Sequence, residues 1–503
     1  MNYIFLNKKG NMMKENLAII IGKLTGGGAE RIVGLLSEAL ASTYNVYLFL
    51  LEGDSVTYEF AGEVVIMEDV FPNQTLNSAL YHCKGKYNID IAISFLDGMN
   101  IANIKTRRNE KVIISSRCSY KPWLRKDSLL EQYIKKYYKK ADMVVACSKG
   151  LMEQLIDCYD VPKDKVTYIY NFINTERILK KADEEVSDVF WKMIGDSEYF
   201  ISVGRLDEQK NQKALIKQFK MFYEENKSDY KLAIIGSGPL EDEIREMIRI
   251  ERLSDRVIIM PYCKNPFPYI RGALAFIMPS NYEGLPNALM EAMTLGVPVA
   301  ATDCMTGPRE LLLGHADYKN GVITKNAVTK RGILIGKPEK DVFFDRAYIG
   351  NALTWFVENK DELARMGLAE KEFMDEYSHV DYTSEWINVI SDISNVHIEN
   401  NESFFEDDID RLAIAKKVYI YGAGKVGKRV YNTYKTVCNI VGFIVTNNVN
   451  EEKKYMGLPI FTVDEIDLSD SDTLIVVGVG FEYVDEICDI LDNLNCCNYI
   501  VPI

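Results

Sequence analysis

The chain has 503 residues, 47% of them apolar and 26% charged, the balance of a soluble globular protein rather than a disordered or fibrous one. Its net charge of −14 argues against general nucleic-acid binding, and no apolar run approaches the ~18 residues that a membrane span needs. Four histidines without an HExxH or a Cys/His cluster argue against a zinc enzyme; ten cysteines without CxxC spacing suit reduced thiols in the cytosol, and the neighbours Cys496 and Cys497 read as packing residues.

About three domains are expected at this length. Residues 1–16, MNYIFLNKKGNMMKEN, read as a short leader without an apolar h-region or cleavage site, with Met12 or Met13 as an alternative start. Strand-like runs then alternate with amphipathic stretches, the pattern of doubly wound α/β layers. In residues 17–185 these are LAIII (17–21), NVYLFLLE (45–52), DIAISFL (90–96), KVIISS (111–116), MVVACS (143–148) and KVTYIYNFIN (165–174), with the helix AERIVGLLSEALA (29–41) following a glycine loop. Residues 186–395 restart the pattern with YFISVGR (199–205), KLAIIG (231–236), RVIIMP (256–261), LAFIMPS (274–280) and PVAAT (298–302), and their last helices are candidates to cross back to the first domain. Two such sheets facing each other make a deep cleft at the carboxyl ends of their strands. An acidic linker (396–412) leads to a small Rossmann-like unit (413–503) with VYIYGAGKVGKRVYN (418–432), NIVGFIVTN (439–447) and TLIVVGVG (473–480).

The charge is uneven. Residues 1–180 carry 24 Lys and Arg against 20 Asp and Glu, and the remainder 35 against 53. Much of the basic surplus lies in KPWLRKDSLLEQYIKKYYKK (121–140), with seven basic and two acidic residues. Two readings stand for it: a solvated helix face, or a peripheral membrane patch that meets anionic lipid or a pyrophosphate-bearing acceptor, with Trp123, Tyr137 and Tyr138 as interfacial anchors.

The stretch PSNYEGLPNALMEAM (279–293) places two glutamates eight apart around a turn into a helix. Pro286 suits the first helical position and Asn287 can cap nearby, so the free amides face whatever lies at the strand's end. Glu291, one turn after Asn287, can accept two hydroxyls such as those of a ribose; Glu283 in the loop is free to reach a sugar. Both also suit a plain helix N-terminus. VGRLDEQKN (203–211) puts Arg205 and Lys210 at the same sheet edge, either as surface cations or as partners for a diphosphate. In GSGPLEDEI (236–244), Gly236 and Gly238 allow close approach of backbone to a flat base.

With EGLPNALMEAMTLGVPVAATD and IGSGPLEDEI, these segments make residues 17–395 resemble family 4 retaining glycosyltransferases of the GT-B fold, whose E-x7-E motif Glu283 and Glu291 fit. The resemblance implies that Arg205 and Lys210 hold the donor diphosphate, Glu291 binds the nucleotide ribose and Glu283 contacts the transferred sugar. By the same resemblance Gly284, Leu285 and Asn287 are expected to line the donor site. GGGAER (26–31) matches the acceptor domain's glycine loop, where Gly27 and Gly28 let backbone approach the donor. TGPREL (306–311) follows a pattern seen in members that build bacterial surface polysaccharide, including capsule. Where many relatives carry a histidine facing the sugar, the run IISSRCSY presents Arg117, with Asp97 at the end of the preceding strand. Arginine cannot accept a proton, so Arg117 is read either as stabilising the leaving diphosphate or orienting the acceptor, or as a structural ion-pair partner. No metal is assigned: the DxD patterns at 408–410 and 470–472 read as solvated acids.

In the last unit, Gly422, Gly424 and Gly427 fit GxGxxG between a strand and a helix, but the second strand ends at Asn447 rather than an acid. The unit resembles nucleotide- or nucleotide-sugar-binding domains; packing alone and an NAD-dependent reaction are the other readings. The expectation is a cytoplasmic glycosyltransferase at the inner face of the cell membrane, moving a hexose from a nucleotide sugar, UDP-sugar favoured, to a lipid-linked polysaccharide intermediate without a cofactor. The rivals are a GT-B phosphorylase or a starch- or sucrose-type synthase with a soluble acceptor, and a non-catalytic nucleotide-sugar sensor.

Overall fold

The computed structural model describes residues 14–51, 53, 58–120, 128–185, 188–226, 229–315, 319, 321–337, 348–394, 403–446, 454–496 and 498–502. Residues 1–13 of the expected leader, Trp123, the linker residues 396–402, Asn447 and Cys497 lie outside them.

Three sheets are present. The first comprises β1 (Asn16–Ile21), β2 (Asn45–Leu50), β3 (Glu63–Ile66), β4 (Ile91–Phe95), β5 (Lys111–Ser116), β6 (Met143–Ala146) and β7 (Val166–Tyr168) in the order β3-β2-β1-β4-β5-β6-β7. The second comprises β8 (Tyr199–Val203), β9 (Lys231–Ile235), β10 (Val257–Met260), β11 (Ala275–Met278), β12 (Val299–Thr302), β13 (Ala327–Thr329) and β14 (Gly332–Ile335) in the order β10-β9-β8-β11-β12-β14-β13. Apart from the β13–β14 pair, every pairing in both is parallel. The strand order reverses between β1 and β4 in one sheet and between β8 and β11 in the other, and such points open a crevice at the carboxyl edge. The central strands are near-continuous apolar runs, as sheets covered on both faces require.

One apolar core runs through both lobes. The helix Thr175–Ala182, which ends the first lobe, packs against the helices Phe267–Arg271 and Asn287–Leu295 of the second. In return the helix Tyr382–Ser394 lies on the first lobe: the Trp386 ring is 6.3 Å from Phe95 and the Tyr382 ring 5.8 Å from Phe172.

The third sheet comprises β15 (Lys417–Tyr421), β16 (Ile440–Val445), β17 (Lys454–Tyr455), β18 (Leu458–Thr462), β19 (Thr473–Val477) and β20 (Tyr499–Ile500) in the order β17-β18-β16-β15-β19-β20. Its entry corrects the linker expectation, because residues from Phe404 to Ile414 are helical. Ser403 caps that helix through Oγ to Glu406 N at 3.4 Å, two acids sit in its first turn, and Phe405 and Leu412 enter the third core.

This unit docks on the first lobe. Thr75 N donates to Thr433 Oγ1 at 2.9 Å, Arg429 pairs with Glu68 at 3.0 Å and Leu129 N donates to Asp485 Oδ1 at 2.8 Å. Asp408 pairs with the buried Lys105 at 3.4 Å and is 16% exposed at its side chain, so it is an interface residue rather than a solvated acid. Asp470 and Asp472 pair with the exposed Lys417 and Lys416. The anchor reading also fails for two aromatics. Tyr137 is 4% and Tyr138 0% exposed; Tyr137 packs on Phe404, and the Tyr138 hydroxyl is spent inside the first lobe. Lys136, Lys139 and Lys140 stay on the surface.

Candidate active site

The donor-side cations leave β8 on the loop 204–211. Asp207 orders it: one carboxylate oxygen accepts Lys210 N at 2.9 Å and the other pairs with Arg205. Lys210 Nζ then reaches Glu283 Oε1 at 2.5 Å, on the loop after β11. The two loops are stitched along their backbones, with Asn281 N donating to Gln209 O at 2.8 Å and Gln209 Nε2 to Tyr282 O at 3.0 Å. Arg205 stays 61% exposed at its side chain. Gly236 and Gly238 lie so close to the carbonyls of Gly204 and Leu206 that any Cβ would overlap them, and this contact by itself requires glycine there.

The helix after β11 runs Asn287–Leu295. Pro286 is its N-cap in extended conformation, and no side chain caps it, so the sequence reading is one residue off for Pro286 and wrong for Asn287 as a cap. Asn287 works across the cleft instead: Nδ2 donates to Gly28 O at 3.2 Å, and Oδ1 accepts Asn171 Nδ2 at 2.8 Å. Glu291, on the same face, forms an ion pair with Arg31 of the first lobe, which the sequence reading missed although Arg31 closes GGGAER. Gly27 caps the helix Gly28–Leu40, whose Glu30 carboxyl folds back over it. Burial pushes that carboxyl above the usual range, against its own amide and the nearby Arg205 and Lys23. Each of the cations Arg31, Arg205 and Lys210 therefore faces a site carboxylate.

Glu283 itself is 5% exposed. Its carbonyl accepts Thr306 Oγ1 at 2.7 Å and Ser119 N at 3.3 Å, while Gly284 O accepts Gly307 N at 2.9 Å. TGPREL is thus a brace for the Glu283 loop. Arg309 anchors it through a buried fork on Asp303, with Nε to Oδ1 at 3.0 Å. Glu310 crosses to the first lobe: its carboxylate accepts Lys149 N, Gly150 N and Tyr170 Oη, each at 3.0 Å, at the start of the helix Lys149–Tyr159.

Gly284 fits because it has no side chain; a Cβ there would sit 2.6 Å from Cys147 Sγ and closer still to Arg117 O. The Arg117 guanidinium donates to Asn171 Oδ1 and to Ser115 Oγ at 3.4 Å, and lies 5.5 Å from the Phe95 ring centre. Among the described residues it has no carboxylate partner, so the ion-pair reading is not what the structure displays. Burial lowers its pKa. Asn171, the other residue that sequence reasoning missed, also donates to Leu285 O at 2.8 Å. The Arg117 backbone thereby touches the donor loop directly, and its guanidinium through one intermediary.

The structure brings Gly27, Gly28, Arg117, Lys210, Glu283, Gly284, Leu285, Asn287 and Glu291 to one inter-lobe seam, with Arg205, Gly236 and Gly238 on the adjoining loops. Gly422, Gly424 and Gly427 are elsewhere, in the third unit. Gly422 has φ +118° and packs on Gly478, Gly427 packs on Gly422, and a Cβ on Gly424 would meet nothing within 4 Å.

Residues 26–177 match the family described as Glycosyltransferase Family 4, and residues 184–331 match Glycosyl transferases group 1. The chain is 29% identical over 335 residues to the N-acetylgalactosamine-N,N'-diacetylbacillosaminyl-diphospho-undecaprenol 4-alpha-N-acetylgalactosaminyltransferase of Campylobacter jejuni, covering 61% of this chain and 88% of that protein. In three dimensions it resembles HepE of Anabaena in complex with UDP-glucose (TM-score 0.57, 14% identity, 75% of this chain and 99% of that one). It also resembles the sucrose-phosphate synthase of Thermosynechococcus elongatus (TM-score 0.56, 17% identity, 75% and 98%). The two large lobes have the GT-B fold, and the third unit lies beyond both family matches.

Proposed function

We propose that this GT-B glycosyltransferase is a metal-independent, retaining enzyme that moves a hexose-type residue from a nucleotide sugar, preferably a UDP-sugar, to a lipid-linked polysaccharide intermediate. The observation that carries the reading is the convergence of Lys210 with Glu283, and of Glu291 with Arg31, at the seam between facing carboxyl edges. Breaking a sugar–phosphate bond builds positive charge on the sugar and negative charge on the diphosphate. Lys210 and Arg205 are within reach of the latter, and the buried Glu283 of the former; fixed charges of this kind act without reorganising. On entry the diphosphate competes with Glu283 and Asp207 for the two cations, and the ribose hydroxyls compete with Arg31 for Glu291.

In this reading the acceptor hydroxyl enters on the face that the diphosphate leaves, forms its bond to the anomeric carbon and gives its proton to the departing phosphate oxygen. Arg117 has no role as a base and acts as a positioning residue through Asn171. The lipid-linked acceptor is supported by the Campylobacter jejuni relative, whose name specifies a diphospho-undecaprenol acceptor. No described helix is long and apolar enough to cross a membrane.

The test is a thermal-shift screen across UDP-, GDP- and dTDP-sugars, since a ligand that binds only the folded state raises the melting temperature by mass action. UDP-sugars are expected to give the largest shift, Glu291→Ala to weaken it, and Glu283→Ala to keep it while turnover falls. Equal loss of affinity in both variants refutes the separate roles, and full loss of activity in EDTA with recovery in Mg²⁺ refutes metal independence.

A further inference from the structure

Asp97 is a carboxylate at the first lobe's crevice that the donor site does not employ. It follows β4 directly, on the β1/β4 reversal, as Glu283 follows β11 on the β8/β11 reversal. Gly22, just after β1, faces Met99 across that crevice. Each lobe therefore presents a carboxylate after the strand on the far side of its own switch point.

The loops that carry the two carboxylates are tied together by two consecutive residues, at the Glu283 backbone on one side and the Asp97 carboxylate on the other. Ser119 N donates to Glu283 O at 3.3 Å, while Tyr120 Oη donates to Asp97 Oδ1 at 2.6 Å. The Cys118 thiol lies among both, raised by burial first and then by Glu283 and Asp97. Asp97 is held by a built network. Tyr120 and Tyr138, both 0% exposed, donate to the same oxygen, each at 2.6 Å, and Ser116 and Asn100 fix the two phenols from behind. Oδ2 has no hydrogen-bond partner among the described residues, and Asp97 is only partly buried. Leu96, which turns the chain into this position, adopts φ +73°, a conformation that a leucine holds only where the surroundings impose it. Burial raises the pKa of this carboxyl and the two phenols pull against that rise; with both phenols spent on one oxygen, the other is left oriented and available.

Resting on the glycosyl-transfer reading above, we propose that Asp97 is the acceptor-side carboxylate: its Oδ2 accepts a hydrogen bond from the attacking hydroxyl and fixes that oxygen opposite the sugar held by Glu283. The hydroxyl's single proton rests on Oδ2 in the bound complex and turns to the departing phosphate oxygen as the bond to the anomeric carbon forms and the sugar–phosphate bond breaks, so Asp97 ends the reaction in the protonation state in which it began. Water sitting at the same position is held the same way.

The experiment measures UDP release from UDP-glucose, UDP-galactose and their N-acetyl forms with water as acceptor, and UDP affinity by calorimetry, for the full chain. Asp97→Asn keeps an oxygen for both phenols and is expected to fold. It should bind UDP within about twofold of the wild type and release UDP about 10² times more slowly, the loss that a misplaced attacking oxygen brings. Tyr120→Phe, which loosens the carboxylate without removing it, should fall between. Asp97→Asn turnover within threefold of the wild type overturns the inference, as does a loss of UDP affinity that matches the loss of turnover. A wild type that neither binds nor cleaves any of these donors overturns the glycosyl-transfer reading and the inference with it.

Discussion

Glu310→Ala removes the clamp between lobes. Glu310 is 6% exposed and accepts three hydrogen bonds at 3.0 Å, so the deletion strands donors that belong to the other lobe. Lys149 is exposed and its amide can be rehydrated, whereas Gly150 is buried and Tyr170 half-buried. One stranded buried donor costs about 1–3 kcal/mol, the half-buried phenol less. The lost negative charge at a helix start adds about 1 kcal/mol. Against this stands the burial of the carboxyl itself, which raises its pKa and is relieved on deletion. A net destabilisation of about 2–4 kcal/mol follows, several degrees of melting temperature for lobes of this size. Differential scanning calorimetry measures it, together with kcat/KM for UDP-sugar cleavage, which should fall because the same brace holds Glu283. Glu310→Gln, which retains one acceptor oxygen, should lie between. A Glu310→Ala protein that melts within about 1 °C of the wild type and turns over normally refutes the clamp.

Gly284→Ala drives a methyl into Arg117 O and Cys147 Sγ, and overpacking of this kind costs about 1–3 kcal/mol. UDP-sugar turnover should drop more than tenfold while the third unit's melting is unchanged, and normal turnover contradicts the tight seam. Lys84 and Glu110 pair at 2.7 Å with side chains 1% exposed, so Lys84→Met strands a buried carboxylate and should cost about 3–5 kcal/mol in urea unfolding. Lys84→Met with Glu110→Leu should recover most of that loss, and no recovery refutes the assignment. Glu370 is 0% exposed, accepts Val299 N at 3.1 Å and has a pKa raised well above the usual carboxylate value by burial. The folded state therefore holds this proton more tightly, and the associated stability is present at low pH and lost as pH rises through the folded pKa. Glu370→Gln should gain melting temperature over the wild type by a margin that widens with rising pH, and a flat margin refutes it.

Strands that form long apolar runs, such as β1, β4 and β8, were legible from sequence because burial on both faces leaves no alternative. β3, β13, β14, β17 and β18 are two to five residues each, lie at or near sheet edges and carry too little pattern to be read. The anchor error at Tyr137 and Tyr138 was avoidable: Leu130, Ile134, Tyr137 and Tyr138 follow the helical period that points inward, and the lysines between them drew attention to composition instead. Glu283, Glu291, Arg205 and Lys210 stood out because their types and spacing suit an anionic sugar donor. Their partners did not. Arg31 meets Glu291 across 260 residues and Asn171 meets Asn287 across 116, and nothing local in either segment encodes such a contact.

Both passages of the chain between the large lobes run side by side: Tyr377 Oη donates to Asn171 O at 3.0 Å, and the Phe172 and Tyr382 rings touch. Two adjacent tethers form a single hinge, which leaves the lobes one swing rather than free tumbling. Asn171 belongs to that hinge by its backbone and to the Leu285–Asn287 turn by its side chain, so any outward rotation begins by pulling on the helix that carries Glu291. On the function proposed above, filling the nucleotide pocket and shutting the jaws are then one mechanical event.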